Sequence, residues 1–334
     1  MQASIARTAL ISILRRLRTQ MPPRLKSFPA FVYLKRVLDS ERTMFGYCDC
    51  VLNDLHNVED VIKGKVLIDA GCGAGVFSVM LSLMGATTVY AVDYLEDCVE
   101  LASWVAEIAE AKNISVIRAD IGGLRLPEGS IDGVFSIEAL SHYRNPGAFI
   151  EVAGRRVRRG GFLVIRDGNN GASWATRERT QRIWYGYENV REPCTIGGHT
   201  KSQGCYLDAR KKIIREAFAS LPDTDVESYG EKSFGYSRDE VIEVVKQFLR
   251  GRWDAQSQYA SGKCPLDPET DTYMEKVFNP LEVREELMRH GFRSKVYSVG
   301  PARSSLRILR WLWEAISPVT IYSPRAFRIV ALRQ

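Results

Sequence analysis

Histidine is scarce in this chain. Only four occur in 334 residues, so an imidazole acting as a base near neutral pH must be one of His56, His142, His199 and His290. The seven cysteines are scattered, with no CxxC pair and no Cys/His cluster at zinc spacing, which excludes a zinc module. Cys48 and Cys50 stand too close together for a zinc knuckle, and reduced thiols of a cytoplasmic protein are the better reading. No apolar run reaches the length that spans a bilayer, so an integral membrane protein is excluded. Internal repeats and low-complexity tracts are also missing, which argues against solenoids and disordered tails. A chain of this size can bury a large core and carry additions beyond one domain.

The most informative stretch runs from Lys65 to Asp93 (KVLIDAGCGAGVFSVMLSLMGATTVYAVD). An apolar run, Val66 to Ile68, ends in Asp69, and Gly71, Gly73 and Gly75 follow at alternate positions. Phe77, Val79, Met80 and Leu83 then keep helical spacing. Thr88 to Val92 reads as a second strand ending in Asp93. Strand, glycine turn, helix, strand and carboxylate form the first half of a nucleotide-binding α/β sheet, in which the terminal acid accepts hydrogen bonds from ribose hydroxyls. The glycine spacing is G-x-G-x-G, not the G-x-G-x-x-G of a dinucleotide site. A carboxylate beside the loop would repel a pyrophosphate, whereas it suits a ligand carrying an ammonium and a sulfonium.

Together with the segments downstream, this run resembles the class I S-adenosylmethionine (SAM)-dependent methyltransferases, in particular the type 11 and quinone-biosynthesis-like small-molecule group. The supporting motifs occur in order: Asp93, Ile114 to Asp120 (ISVIRAD), Ile131 to Ile137 (IDGVFSI) leading into Glu138-Ala139-Leu140-Ser141-His142, and Phe149 to Ile165 (FIEVAGRRVRRGGFLVI). Arg159 stands where the family has Pro before its double glycine. The resemblance implies a Rossmann-like seven-stranded α/β sheet whose last strand is antiparallel, with a helical insertion or cap and extra N-terminal helices. It implies SAM as cofactor, held by Asp69, Gly71, Cys72, Gly73 and Gly75, by Asp93 at the ribose, by Tyr94, by Asp120 and Ile121 at the adenine, and by Glu138. Cys72 otherwise reads as a small packing residue. His142 is the expected base, with Glu138 orienting its imidazole or lining the pocket, and no metal is expected. No Asn/Asp-Pro-Pro-aromatic segment follows strand four, no acidic cluster suits a catechol-type Mg²⁺ site, and the double glutamate of arginine methyltransferases is missing.

The expected organisation has four parts. Residues 1–45 form a basic amphipathic extension, 46–168 the SAM-binding core, 169–279 an inserted substrate or cap region, and 280–334 the end of the sheet with an inserted basic helix at 303–316. Pro280 to His290 reads as a helix, with Arg293 to Val299 and Ala326 to Leu332 as strands six and seven. Within the insertion, Ala209 to Leu221 and Arg238 to Arg250 read as helices. Its aromatic residues, among them Trp174, Trp184, Tyr185, Trp253, Tyr259 and Tyr273, either stack on an acceptor or pack as core. Asn169 and Asn170, after strand five, either orient a hydroxyl acceptor or form a turn. His199 falls in a glycine-rich loop, while His56 and His290 read as structural.

Charge is uneven. Residues 1–50 carry nine Lys/Arg against three Asp/Glu, and residues 288–334 carry nine against one. Leu10, Ile13, Leu14 and Leu17 share one helical stripe, with Arg7, Arg15, Arg16 and Arg18 largely off it. Leu306, Leu309, Trp313 and Ile316 face away from Arg303, Arg307 and Arg310. Such helices suit an anionic membrane surface, a mitochondrial presequence for the acid-free N-terminus, or simple packing on the domain. The expectation is a cytoplasmic, membrane-associated or mitochondrial methyltransferase acting on a small-molecule, glycan or glycolipid acceptor, with O-methylation favoured and nucleic acid disfavoured as a partner. An RNA or protein methyltransferase and a non-catalytic SAM-binding scaffold are the alternatives.

Overall fold

A computed structural model describes residues 2–196, 199–201, 204–252, 264–299, 315–322 and 326–334. The expected basic helix at 303–316 falls almost wholly outside these residues, as do Trp253 and Tyr259. The chain divides into two compact units. The first comprises the residues up to Leu140, Pro146–Gly168 and Pro280–Gln334; the second comprises Ser141–Asn145 and Asn169–Asn279.

In chain order the first unit starts with α1 (Gln2–Gln20), α2 (Phe31–Leu38) and α3 (Glu41–Leu55). Ser40 caps α3: its Oγ accepts the Thr43 N–H at 3.2 Å, while its own N–H donates to Thr43 Oγ1 at 2.9 Å, a reciprocal pair that satisfies donors the helix cannot. The sheet then builds through β1 (Val66–Ala70), α4 (Val76–Leu83), β2 (Thr88–Asp93), α5 (Glu96–Ile108), β3 (Ile114–Arg118), β4 (Ile131–Ile137), α6 (Pro146–Arg156) and β5 (Val157–Asp167). The second unit holds α7 (Trp174–Asn189), a small ladder of β6 (Cys194–Ile196) and β7 (His199–Lys201), α8 (Tyr206–Ala217), α9 (Asp223–Lys232), α10 (Arg238–Leu249), and the β8 (Leu266–Asp267) and β9 (Thr272–Tyr273) pair. The chain returns through α11 (Pro280–Arg289), β10 (Phe292–Ser298), a single helical turn at Ser317–Thr320, and β11 (Phe327–Arg333).

Seven strands form one sheet in the order β10-β11-β5-β4-β1-β2-β3. β11 runs antiparallel to both its neighbours, β10 and β5, and the other pairings are parallel. The expected seven-stranded sheet with its last strand reversed is therefore present. One detail differs. The double glycine was expected in a turn ahead of strand five, but α6 passes directly into β5, and the register between Ile131/Val157 and Gly133/Phe162 shifts around it. Gly160 takes φ of 75° there, so the turn is absorbed as a bulge in the strand.

The apolar stripe of α1 is not at the surface. Leu10, Leu14 and Leu17 are fully buried, joined by Ala6, Ile11 and Ile13, in one core with Val79 and Met80 of α4 and with Phe135, Phe162 and Val164 of the sheet. Six such side chains contribute on the order of 10 kcal/mol of burial. The exposed pairs Arg7–Asp49, Arg15–Glu41 and Arg16–Glu110 are screened by water and add little. Apolar packing, not charge, therefore holds α1 in place. No helix among the described residues is long and apolar enough to cross a membrane.

In the second unit, Ile213, Ile214, Val241 and Val245 centre a helical core. Arg210, fully buried, donates Nε–H to the Gly230 carbonyl at 3.0 Å and forks onto both carboxylate oxygens of Glu188. The expected helix at 209–221 begins and ends earlier: α8 stops at Ala217, where Phe218 leaves the helical region with φ of −139° and ψ of 65°.

Candidate active site

In the first unit the carboxyl ends of β1 and β2 meet the glycine loop. Gly71, Gly73 and Gly75 all take positive φ (72°, 52° and 74°), a conformation that costs any residue with a Cβ. The Gly71 and Cys72 N–H groups donate to the Val92 carbonyl at 2.8 and 3.0 Å, which fastens the loop to the end of β2. Asp93 is gripped from both sides. Its Oδ2 accepts the Gly73 N–H at 3.0 Å and its Oδ1 the Leu95 N–H at 3.1 Å. The Tyr94 N–H and the Cys98 thiol also hydrogen-bond to this carboxylate. Burial raises its pKa, opposed by these backbone donors. A Cβ placed on Gly73 would meet no described atom within 4 Å, so this face of the loop is open.

Asp69 behaves differently from the expectation that it lines the ligand. It is 2% exposed, and its Oδ2 accepts the Ser78 hydroxyl at 2.5 Å. Burial pushes its pKa to about 7, with the nearby Asp93 charge acting in the same direction. The carboxyl therefore ties β1 to α4 beneath the loop. Cys72 packs with Ala91 and Ala102, and burial drives its thiol pKa far up, matching a packing role rather than a reactive one. Tyr94 is half-buried, and its carbonyl accepts from Arg118 Nε–H at 3.4 Å. Asp120 is exposed and accepts the Gly122 N–H at 2.7 Å, opening a 3₁₀ turn in which Ile121 is buried.

Glu138 follows β4 with φ of 54°, an unusual backbone conformation for a non-glycine residue. Its N–H donates to the Arg166 carbonyl at 2.7 Å. Its carboxylate accepts from Arg166 at 2.5 Å and from the Gly168 N–H at 2.8 Å. Arg166 also pairs with Asp54 of α3 at 3.2 Å. Burial raises the Asp54 pKa to about 6, against the stabilising charge of Arg166. Neither Asp54 nor Arg166 carries a sequence signal of its own, since only folding brings α3 to the end of β5.

In the second unit the segment after β4 is pinned to β9 and the residues beside it. The Lys276 N–H donates to the Ser141 carbonyl at 3.0 Å, and its Nζ to the carbonyls of Tyr143 and Arg144 at 2.6 and 3.0 Å. That ammonium sits 3.5 Å from the centre of the Tyr273 ring, and burial lowers its pKa to about 8. Arg144 pairs with Asp271 and Glu240. His142 Nδ1 lies 3.0 Å from the Tyr273 carbonyl oxygen. A carbonyl only accepts, so Nδ1 carries the proton and Nε2 the lone pair of the neutral ring. The group on Nδ1 is thus a backbone carbonyl, not the Glu138 carboxylate that was expected to orient the ring. Asn170 forms a turn, its Oδ1 accepting the Ala172 N–H at 3.0 Å, and Asn169 pairs with Glu275. Trp184 donates Nε1–H to the Met274 carbonyl at 2.7 Å, while Trp174 and Tyr185 are each 67% exposed. His199 enters β7 through its backbone. His290 Nε2 lies 3.1 Å from Glu286.

Residues 68–165 match a family described as a methyltransferase domain. An uncharacterised chloroplastic methyltransferase of Arabidopsis thaliana is 30% identical over 160 residues, 44% of this chain and 46% of the relative. A ribosomal protein arginine N-methyltransferase of Schizosaccharomyces pombe is 38% identical over 99 residues, 29% of this chain and 17% of the relative. A ubiquinone biosynthesis O-methyltransferase of Cupriavidus pinatubonensis is 30% identical over 196 residues, 57% of this chain and 74% of the relative. The chain spans less than half the length of the first two. Among solved structures, a SAM-dependent methyltransferase of Mesorhizobium loti aligns at 17% identity over 86% of this chain and 98% of its own, with a TM-score of 0.44, too loose a likeness to carry an argument.

Proposed function

The chain belongs to the SAM-dependent methyltransferases, and from that premise we propose that it methylates a hydroxyl of a small-molecule, glycan or lipid-linked acceptor. The observation that carries the reading is Asp93. Backbone N–H donors orient both its oxygens at the end of β2, beside the glycine loop, and a carboxylate at that place in such a sheet suits ribose hydroxyls. The open face at Gly73 leaves room for the nucleoside, and the Asp93 carboxylate beside the loop favours a cationic ligand over a phosphate. On this reading Asp120 and Ile121 receive the adenine, and Glu138 lines the pocket. When bound, SAM supplies an electrophilic methyl on its sulfonium.

Displacement at such a methyl is in-line, so positioning accounts for most of the rate. His142 adds what a hydroxyl acceptor requires. With Nδ1–H donated to the Tyr273 carbonyl, Nε2 is left to take the hydroxyl proton as the acceptor oxygen bonds to the methyl carbon. Incubation with SAM labelled in its methyl group and a cell extract tests the reading. Label in an extractable small-molecule, glycan or lipid fraction is the expected result. Label in RNA or protein would replace the acceptor class, and no transfer from any extract would make the chain a SAM-binding scaffold.

A further inference from the structure

The acid-free N-terminus suggests an interface-seeking helix, yet the stripe of α1 that would enter a lipid surface is spent on the core. We propose that α2 is the segment that docks on an anionic lipid surface. Leu34 and Leu38 anchor one side of this eight-residue helix, 2% and 4% exposed. On the other side Val32 is 50% and Tyr33 64% exposed, with Lys35 and Arg36 beside them on the exposed surface. The Arg36 guanidinium lies 5.7 Å from the centre of the Tyr33 ring. Exposed apolar side chains interleaved with Lys and Arg are the composition of a helix that lies in the headgroup layer.

The ion pairs separate α2 from α1. On α1, Arg7, Arg15, Arg16 and Arg18 are each bound to an acid of this chain, as is Arg24 just after it. Lys26, Lys35, Arg36 and Arg42 are exposed and form no ion pair among the described residues. No acid occurs between residues 2 and 38; Asp39 and Glu41 follow directly, and Glu41 is taken up by Arg15 and Arg18. These four free cations complement an anionic surface, and the exposed Val32 favours lipid over nucleic acid, because a phosphate backbone gains nothing from an aliphatic side chain. The position also fits. The Ala30 N–H, directly ahead of α2, donates to the Asp97 carboxylate at 3.0 Å. Asp97 belongs to the first turn of α5, four residues after Asp93. Docking through α2 would set the rim of the donor loop at the lipid surface, whatever the acceptor proves to be.

The test is flotation of the full chain with vesicles of phosphatidylglycerol and phosphatidylcholine in equal parts, against pure phosphatidylcholine. Binding to the mixed vesicles alone is expected. Each Lys or Arg near an anionic surface is worth about fivefold in partitioning, so Lys35→Gln with Arg36→Gln should weaken binding about 25-fold. Val32→Ser with Tyr33→Ser should weaken it as well, and both double variants should bind SAM as the unaltered chain does by calorimetry. Equal flotation of these variants and the unaltered chain would overturn the assignment to α2. So would flotation on neither vesicle, or retention of single-stranded RNA, lost in the double variants, without vesicle binding.

Discussion

Asp69 gives the sharpest test of the architecture, because its cost to folding depends on pH. Burial moves its pKa from the ordinary 3.8 to about 7. Well below pH 3.8, folded and unfolded chains both hold the proton and no penalty exists. As pH rises from about 4 to about 7 the unfolded chain releases the proton and the folded chain keeps it, so stability falls. At about 1.4 kcal/mol per pKa unit the full penalty is about 4 kcal/mol, of which about 2–3 kcal/mol develops between roughly pH 5 and pH 8. Asp69→Asn keeps an oxygen to accept the Ser78 hydroxyl and removes the titration. Urea unfolding of both proteins across that window, without SAM, should show the substituted chain gaining on the unaltered one by this amount. Asp54, whose pKa is raised to about 6, adds a slope of the same sign to both proteins and cancels in the difference. Parallel stability curves would refute the reasoning, because they would mean that Asp69 is solvated or paired in the fold.

Asp93→Ala should abolish SAM binding in calorimetry, since the two ribose hydroxyls lose a charged acceptor at about 1.5–3 kcal/mol each; unchanged affinity would contradict the site. His142→Ala should leave SAM affinity intact and slow methyl transfer about 10²- to 10⁴-fold, and full activity would remove the base. At Gly75, φ of 74° and an Ala102 Cβ 2.9 Å from any added Cβ predict that Gly75→Ala costs about 2 kcal/mol or more, seen as a lower urea midpoint. Arg210→Met strands the Glu188 carboxylate and should cost about 3–5 kcal/mol, with Glu188→Met on top restoring part of it.

Much of the fold was legible because local pattern and global topology agree. The run Val66–Ile68, the three alternating glycines and Asp93 each fix a local conformation that the sheet then uses without alteration. Strands six and seven were placed within a residue by the element order that the resemblance implies. The site was legible where one short stretch does the work, as in Gly73 donating to Asp93. It was illegible where the partner is distant in sequence. Ser78 beneath Asp69, Arg166 with Asp54 on Glu138, and the Tyr273 carbonyl on His142 all depend on side chains or backbone groups brought together across the fold. The amphipathic pattern of α1 shows the same limit: the stripe was visible, but its burial partner was not.

The sequence by itself determined the order of strands and helices, the glycine loop and the acids at its rim, because dihedral preference and hydrophobic period act over a few residues. Only the tertiary structure decided which apolar stripe would be spent on the core, which arginines would find acids, which ring nitrogen of His142 would hold the proton, and that Asp69 would be sealed under the loop. Those outcomes depend on desolvation and on distances between residues far apart in the chain, and no local pattern encodes either.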